Sequence, residues 1–406
     1  MRGARIPYAA GMPKGASAAR VVPDDAVGVL PSQWIAKAVD AGIVTAPADD
    51  PVPHANVQPA SLDLRLGPTA YRVRASFLSD QEPVESKLAD YCLDELDLTS
   101  GAILEPNRPY LVPLVESLAL PPTMRARANP KSSTGRLDIF TRVITDRSHR
   151  FDDVERGYDG PLYLEVVSRS FTVRVRAGLS LNQLRLVAGD PRVADSDIPR
   201  TRILFSDRGP IPERRLMIDD GLYLSLDLEG ANGGVVGYRA RENSGVLDLS
   251  LVGHHEPEDF WEPVRRERAA PRVVLEPEKF YLLLSSEAIR VPAELAGEMT
   301  PYAAASGELR THYAGFFDPG FGHDPRGEWH GSRAALEVRA HDVPFVVEQH
   351  QYVCKLSFER MLERPAILYG QDTSSNYQAQ RGALSKHFKG AHDGAAQLSL
   401  WRDAKR

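Results

Sequence analysis

The sequence predicts an all-β protein with minor helices, built as two copies of one unit in tandem, and three observations carry that prediction. The first is alternation. SLDLRL (61–66) puts Leu62, Leu64 and Leu66 on one face and Ser61, Asp63 and Arg65 on the other, and FTVRVRAGLSL (171–181) repeats the pattern. The second is punctuation: 31 glycines and 31 prolines among 406 residues cut the chain into short strand-like runs, as in a barrel or jelly-roll-like unit. The third is an internal repeat. ILEPNRPYLVPLVESLALPPTMRARANP (103–130) aligns without a gap, at an offset of 171, with VLEPEKFYLLLSSEAIRVPAELAGEMTP (274–301). Identities are spread along it, at Leu104/Leu275, Glu105/Glu276, Pro106/Pro277, Tyr110/Tyr281, Leu111/Leu282, Glu116/Glu287, Pro121/Pro292 and Pro130/Pro301. LEV at 164–166 recurs at 336–338, and SLDL at 61–64 recurs at 225–228. So long a period fits a duplicated domain and not a solenoid.

In chain order, residues 1–28 read as a Gly/Pro/Ala-rich mobile tail. A helix is predicted at about 32–41, with Ser32 as cap, Trp34, Ile35, Ala38 and Val39 as the apolar stripe, and Gly42 as terminator. Copy one is placed at 29–205 and copy two at 206–406, with the seam in the Gly, Pro and charge-rich stretch 190–215. Residues 368–390 close copy two as a polar, glutamine-rich segment around Tyr377, read as a lid ordered by ligand or as plain terminal disorder.

Composition narrows the function classes. A net charge of −6 lacks the footprint of a chain that coats nucleic acid, so any basic site is local. Two cysteines, Cys92 and Cys354, are too few for a disulfide framework or a cysteine-based zinc site and fit a reducing compartment. The first 25 residues hold no signal-peptide core and no run reaches 18 apolar residues, so the expectation is a cytoplasmic protein.

Four segments carry candidate chemistry. ANPKSSTGRLD (128–138) gathers Lys131, Ser132, Ser133 and Arg136 about a glycine, cations and hydroxyls that suit polyphosphate oxygens, although it also reads as a solvated turn and is not a Walker loop. The aligned positions of copy two read PYAAASG (301–307), with Tyr302, Ala303 and Ala304 in place of the lysine and serines. Copy two offers instead HYAGFFDPGFG (312–322), a tight turn with Asp318 at its tip that could hold a sugar hydroxyl or be an ordinary hairpin; copy one has TDRSHRFDDVERGYDG there. In AALEVRAH, Glu337 lies between apolar strand neighbours, where desolvation raises a carboxyl pKa toward the range useful for acid/base work. Glu165 holds the same place in copy one, and a salt-bridged strand residue is the alternative for either. His254 with His255, and His323 with His330, resemble metal ligands but lack the H-x-E plus P-C-x-x-C pattern of zinc deaminases, so no metal site is assigned to them.

PKSSTGR, AGFFDPGF, LEV and YQAQRG, in that order, resemble the dUTPase and dCTP deaminase superfamily, most closely its dCTP deaminases. The resemblance implies two tandem distorted β-barrel (β-clip) domains, a trimer-forming fold, and active sites where domains or subunits meet. It implies that Lys131, Ser132, Ser133 and Arg136 hold the triphosphate with Mg²⁺ accompanying the nucleotide, and that Ala314 and Asp318 line the pyrimidine and deoxyribose pocket. Tyr377 and Gln380 close over the ligand. Glu337 is the implied catalytic residue: it takes a proton from the water attacking C4 of cytosine, protonates the ring nitrogen and assists ammonia departure without zinc. The implied enzyme is a hydrolase of the cyclic amidine C–N bond of dCTP, a homo-oligomer binding no nucleic-acid polymer and no membrane. Alternatives are a dUTP diphosphatase, a bifunctional deaminase and diphosphatase, or a nucleotide-binding protein without turnover. Three features depart from the family pattern: the insertion GHDPRGEWHGSRA (322–334), Asn376 where lysine is common, and Lys131 in place of arginine. Reciprocal loss between the copies predicts one site made from the copy-one loop and the copy-two hairpin, tail and Glu337, with Glu165 a structural relic.

Overall fold

The computed structural model describes residues 21–206, 209–230, 234–301, 309–311, 315–324, 331–340, 342–371, 377–378, 380 and 382–391. It is mostly β-strand with few, short helices. Among the described residues no helix is long and apolar enough to cross a membrane.

Both copies arrange their strands in the same order. One copy-one sheet runs Cys92–Asp97, Thr69–Val73, Tyr110–Ala119, Asp159–Ser168, Ile139–Ile144. Its copy-two counterpart runs Trp261–Arg265, Val235–Ala240, Phe280–Ile289, Ser332–Ala340, Leu309–Thr311. The second sheets agree too: Asn182–Ala188 beside Met124–Pro130 and Asp153–Val154, against Tyr352–Arg360 beside Leu295–Pro301 and Phe316–Phe317. The repeat extends to single hydrogen bonds. The Glu105 N–H donates to the Tyr110 hydroxyl at 3.2 Å, and the Glu276 N–H donates to the Tyr281 hydroxyl at 2.9 Å.

The hydrophobic clusters cross the seam. One unites Leu62, Leu164 and Leu184 of copy one with Trp261, Phe280, Leu384 and Phe388 from farther along the chain. Another is built round Leu224, Leu283, Leu336 and Leu356. Leu247–Asp248 adds a parallel strand to the copy-one pair Ala102–Leu104 and Val173–Val175. At Gly28 the chain passes so close to Leu362 that a Cβ would lie 2.3 Å from its Cα, which only glycine permits.

Three expectations change. Of the supposed tail, residues 21–28 are described: Val22 is buried in the first cluster and Gly28–Val29 pairs with Asn182–Ala188, because the apolar side chains after the Gly/Ala-rich start have a core to enter. The helix is Ser32–Asp40 with Pro31 at its N-cap; Ser32 is its first residue, and its hydroxyl bonds Gln33 instead of capping. At the other end Gly42, with φ of +74°, closes it as expected: the Ile43 N–H reaches the Ala38 carbonyl at 2.8 Å and the Gly42 N–H the Val39 carbonyl at 3.0 Å. Finally, residues 382–391 do not stand off as a lid; Leu384 and Phe388 are fully buried, because they fill apolar space in the copy-one cluster.

Candidate active site

A single cavity draws on both copies. Copy one lends Asp63, Lys131, Ser132, Ser133, Gly135 and Arg136; copy two lends Gly315, Asp318, Glu337, Tyr369, Tyr377 and Gln380. Seven of the eight implied binding residues and the implied catalytic glutamate are thus described, and those eight side chains converge on one place. Ala314 lies outside the described residues, as do Asn376 and His330.

The loop owes its shape to Met124–Pro130, which delivers the chain to the cavity, and to one helical turn, Ser132–Gly135, that follows. Glu337 arrives on Ser332–Ala340, opposite Leu282, with apolar neighbours Leu336 and Val338 fully buried on the strand's other face. The two copies touch here: a Cβ on Gly135 would lie 2.6 Å from one carboxylate oxygen of Glu337 and 2.8 Å from the other. Glu337 is 9% exposed, and burial lifts its carboxyl well above the usual range, Arg136 pulling it down and Asp138 pushing it further up. It is a carboxyl poised to give and take protons.

Arg136 is already engaged with the end of the chain. Its guanidinium lies 3.7 Å from the Tyr377 ring centroid, donates to Gln380 Oε1 at 2.7 Å and meets the Ala383 carbonyl at 3.3 Å, while Nε is buried without a partner. Lys131 is ion-paired with Asp63. The Ser385 hydroxyl donates to the Ser133 carbonyl at 2.9 Å.

Asp318 meets a residue the sequence reading passed over. Arg185, fully buried on Asn182–Ala188, approaches Asp318 Oδ1 at 3.5 Å, lies 3.9 Å from the Phe316 ring centroid and donates to the Gly297 carbonyl at 3.3 Å. Burial pushes the Asp318 carboxyl up to about 6, against the pull of Arg185 and with a further push from Asp63. The Arg185 signal was a charge in NQLRLVA, where copy two has Ser357 at the equivalent position, since Arg185 faces Arg127 and Ser357 faces Glu298. Tyr369, Gln378 and the pair Asp138–Arg339 were also passed over. Gln378 ties the hairpin to the tail, accepting from the Gly322 N–H at 3.0 Å and donating to the His323 carbonyl at 2.8 Å. Asp138 of copy one and Arg339 of copy two form a buried ion pair beside Glu337.

In copy one the hairpin position is not lost. Asp153–Val154 pairs with Arg127 and Ala126 as Phe316–Phe317 pairs with Glu298 and Gly297, which puts an exposed Glu155 where copy two has Asp318. The turn geometry survives the change from DPG to ERG because Gly157, like Gly320, keeps a positive φ. His255 packs against Phe260 and Phe388. Among the described residues no three His, Cys, Asp or Glu side chains converge as metal ligands.

A family model described as the 2'-deoxycytidine 5'-triphosphate deaminase N-terminal domain matches residues 26–190, and one described as its C-terminal domain matches residues 204–388. The crystal structure of 2'-deoxycytidine 5'-triphosphate deaminase from Agrobacterium tumefaciens is similar over 84% of this chain and 99% of that one, with 45% identity and a TM-score of 0.77. Curated relatives match about one copy's length. A dCTP deaminase of Haloarcula marismortui is 30% identical over 146 residues, 35% of this chain and 70% of that protein. One of Natronomonas pharaonis is 29% identical over 160 residues, 38% and 78% of the two chains, and a dUMP-forming dCTP deaminase of a Sulfurihydrogenibium species is 25% identical over 157 residues, 38% and 81%.

Proposed function

The chain belongs to the dCTP deaminase family, and on that premise we propose that it hydrolyses the C4–N bond of dCTP to give dUTP and ammonia. The observation that carries the mechanism is Glu337 of copy two lying against Gly135 of the copy-one loop. In this reading a nucleotide with its phosphates on that loop turns its base toward this carboxyl.

The proton inventory closes on one residue. Glu337, whose carboxyl burial lifts well above the usual range, enters the cycle as the acid: it gives its proton to N3 of cytosine and makes C4 electrophilic. Water adds to C4 and returns a proton to the carboxylate. That proton passes to the amino group, the C4–N bond breaks, and the O–H proton at C4 returns to Glu337 as the carbonyl forms. Cytosine and water become uracil and ammonia, and the acid is regenerated without a protein-bound zinc.

Lys131, Ser132, Ser133 and Arg136 receive the triphosphate in this reading, with Mg²⁺ carried on its oxygens as part of the substrate. Asp318 accepts a deoxyribose hydroxyl, Ala314 meets the base through its backbone, and Tyr377 and Gln380 cover the nucleotide. We assign these roles to a cytoplasmic homo-oligomer of two β-clip barrels per chain, divided at 205/206. Incubation with dCTP and Mg²⁺ tests the reaction: dUTP and ammonia in equal amounts are expected. Pyrophosphate in step with ammonia would replace this reading with the dUMP-forming one, and binding without turnover would leave only a nucleotide-binding protein.

A further inference from the structure

Behind the loop lies a second cavity, of about 230 Å³, which shares Asp63, Lys131 and Ser133 with the first and adds Asn56, Ser180 and Lys386. Lys386 belongs to the terminal segment, yet it stands on a fixed backbone. Its N–H donates to the Tyr377 hydroxyl at 3.3 Å, its carbonyl accepts from the Gly253 N–H at 2.9 Å, and the next residues but one on either side, Leu384 and Phe388, are fully buried. Its ammonium has no hydrogen-bond or ion-pair partner among the described residues. The charge count is therefore uneven. Asp63 is ion-paired with Lys131 and also attracts Lys386, so two lysines share one carboxylate in this cavity. His387, on the same wall, adds no positive charge at neutral pH, since burial and neighbouring Lys386 push it down to about 3. Burial and the nearness of Lys131 also hold the Lys386 ammonium below its ordinary range, against a smaller opposing pull from Asp63. An ammonium held in a half-buried place beside another cation is destabilised until an anion joins it.

We propose that this cavity is the subsite for the distal phosphate of the nucleotide, and that Lys386 is the second ammonium that receives it. The proposal rests on the reading of the 131–136 loop as the triphosphate site and adds to it a residue from the opposite end of the chain. A lysine is suited to this place, because a compact ammonium with three donors tolerates the rotation of a terminal phosphate that a planar guanidinium does not. The occupant is a dianionic phosphate end, whether of a nucleotide or of an inorganic polyphosphate. The two sources separate by comparing dCTP with inorganic tripolyphosphate.

The test uses the full chain and the variants Lys386→Gln, Lys386→Arg and Lys131→Gln. With one charge-assisted phosphate contact removed, Lys386→Gln is expected to raise KM for dCTP about tenfold, more than it lowers kcat, and to weaken inhibition by tripolyphosphate about equally. Lys386→Arg keeps the charge and recovers most of both. Deoxycytidine, which has no phosphate, binds wild type and Lys386→Gln alike. Unchanged dCTP and tripolyphosphate constants in Lys386→Gln, with both weakened in Lys131→Gln, overturn the subsite and leave the loop. Unchanged constants in both variants overturn the loop reading itself. An equal loss for deoxycytidine makes Lys386 a structural residue and also overturns the proposal.

Discussion

Glu165 and Glu337 stand at the same register of the same strand in the two copies, opposite Leu111 and Leu282, and both are nearly buried. What faces them differs. Glu165 has Arg142 directly across the sheet, donating from Nε at 2.9 Å. Among the described residues the cation that bears on Glu337 is the more distant Arg136 of the other copy, whose guanidinium is turned to Gln380 and Tyr377. The Glu165 carboxylate is held in an ion pair, whereas burial lifts the Glu337 carboxyl well above the usual range. The fold supplies the same position in both copies, and among the described residues the cross-strand ion pair is made only at Glu165.

The strongest way to break this contrast is to neutralise each glutamate in turn. Glu337→Gln is expected to lower kcat about 10³-fold while dCTP still binds, as loss of an acid/base group does. Glu165→Gln should leave kcat within about twofold and lower stability by about 1–3 kcal/mol, since Arg142 keeps an acceptor but loses the negative charge it pairs with. Ammonia release and denaturant midpoints measure both, and turnover abolished by the Glu165 change instead would reverse the assignment.

Arg136→Ala comes next, with KM for dCTP rising about 10–100-fold for the loss of a charge-assisted phosphate contact. The aligned copy-two residue is Gly307, so a matching change there has no charge to remove. Gly135→Ala sharpens the comparison at the contact between copies. Its methyl would sit 2.6–2.9 Å from the Glu337 carboxyl atoms, and displacement of that carboxyl is expected to lower kcat about tenfold with a smaller change in KM. An unaffected kcat would mean that the approach is not part of the chemistry.

The smallest effect is a pH slope in stability. Asp318 titrates near 6 in the folded chain, above the unfolded carboxyl at about 3.9. Between those values the folded state holds a proton that the unfolded state has released. Stability from this group therefore falls as pH rises from about 4 to 6 and is level above, a difference of about 3 kcal/mol. Denaturant midpoints at the two ends of that window, wild type against Asp318→Asn, read it directly; equal slopes would remove the buried carboxyl from the account.

The parts legible in the sequence were those with a local signature. The period-two runs, the repeat, the KSSTGR loop, the DPG turn and the Glu337 strand all announce themselves within a dozen residues. What was not legible depends on contacts made across the chain. Arg185 looks like an ordinary strand charge until Asp318, 133 residues on, closes over it. Leu384 and Phe388 sit in a polar, glutamine-rich context that reads as a loose end, and only the groove of copy one makes them core. Ser32 missed its capping role by a single position, the scale on which helix starts are decided by backbone geometry.

The docking of Leu384 and Phe388 also bears on the order in which the protein is made. A chain emerging from the ribosome folds its earlier domain first. Here copy one is synthesised early, but two fully buried side chains of its core, Leu384 and Phe388, appear only after most of copy two has been made. Its cluster is complete only once residues 384–388 have been made, and the same segment then brings Gln380 to Arg136. Stability of the first domain and assembly of the cavity are thereby timed by one stretch of peptide, so a chain stopped before residue 380 lacks both together.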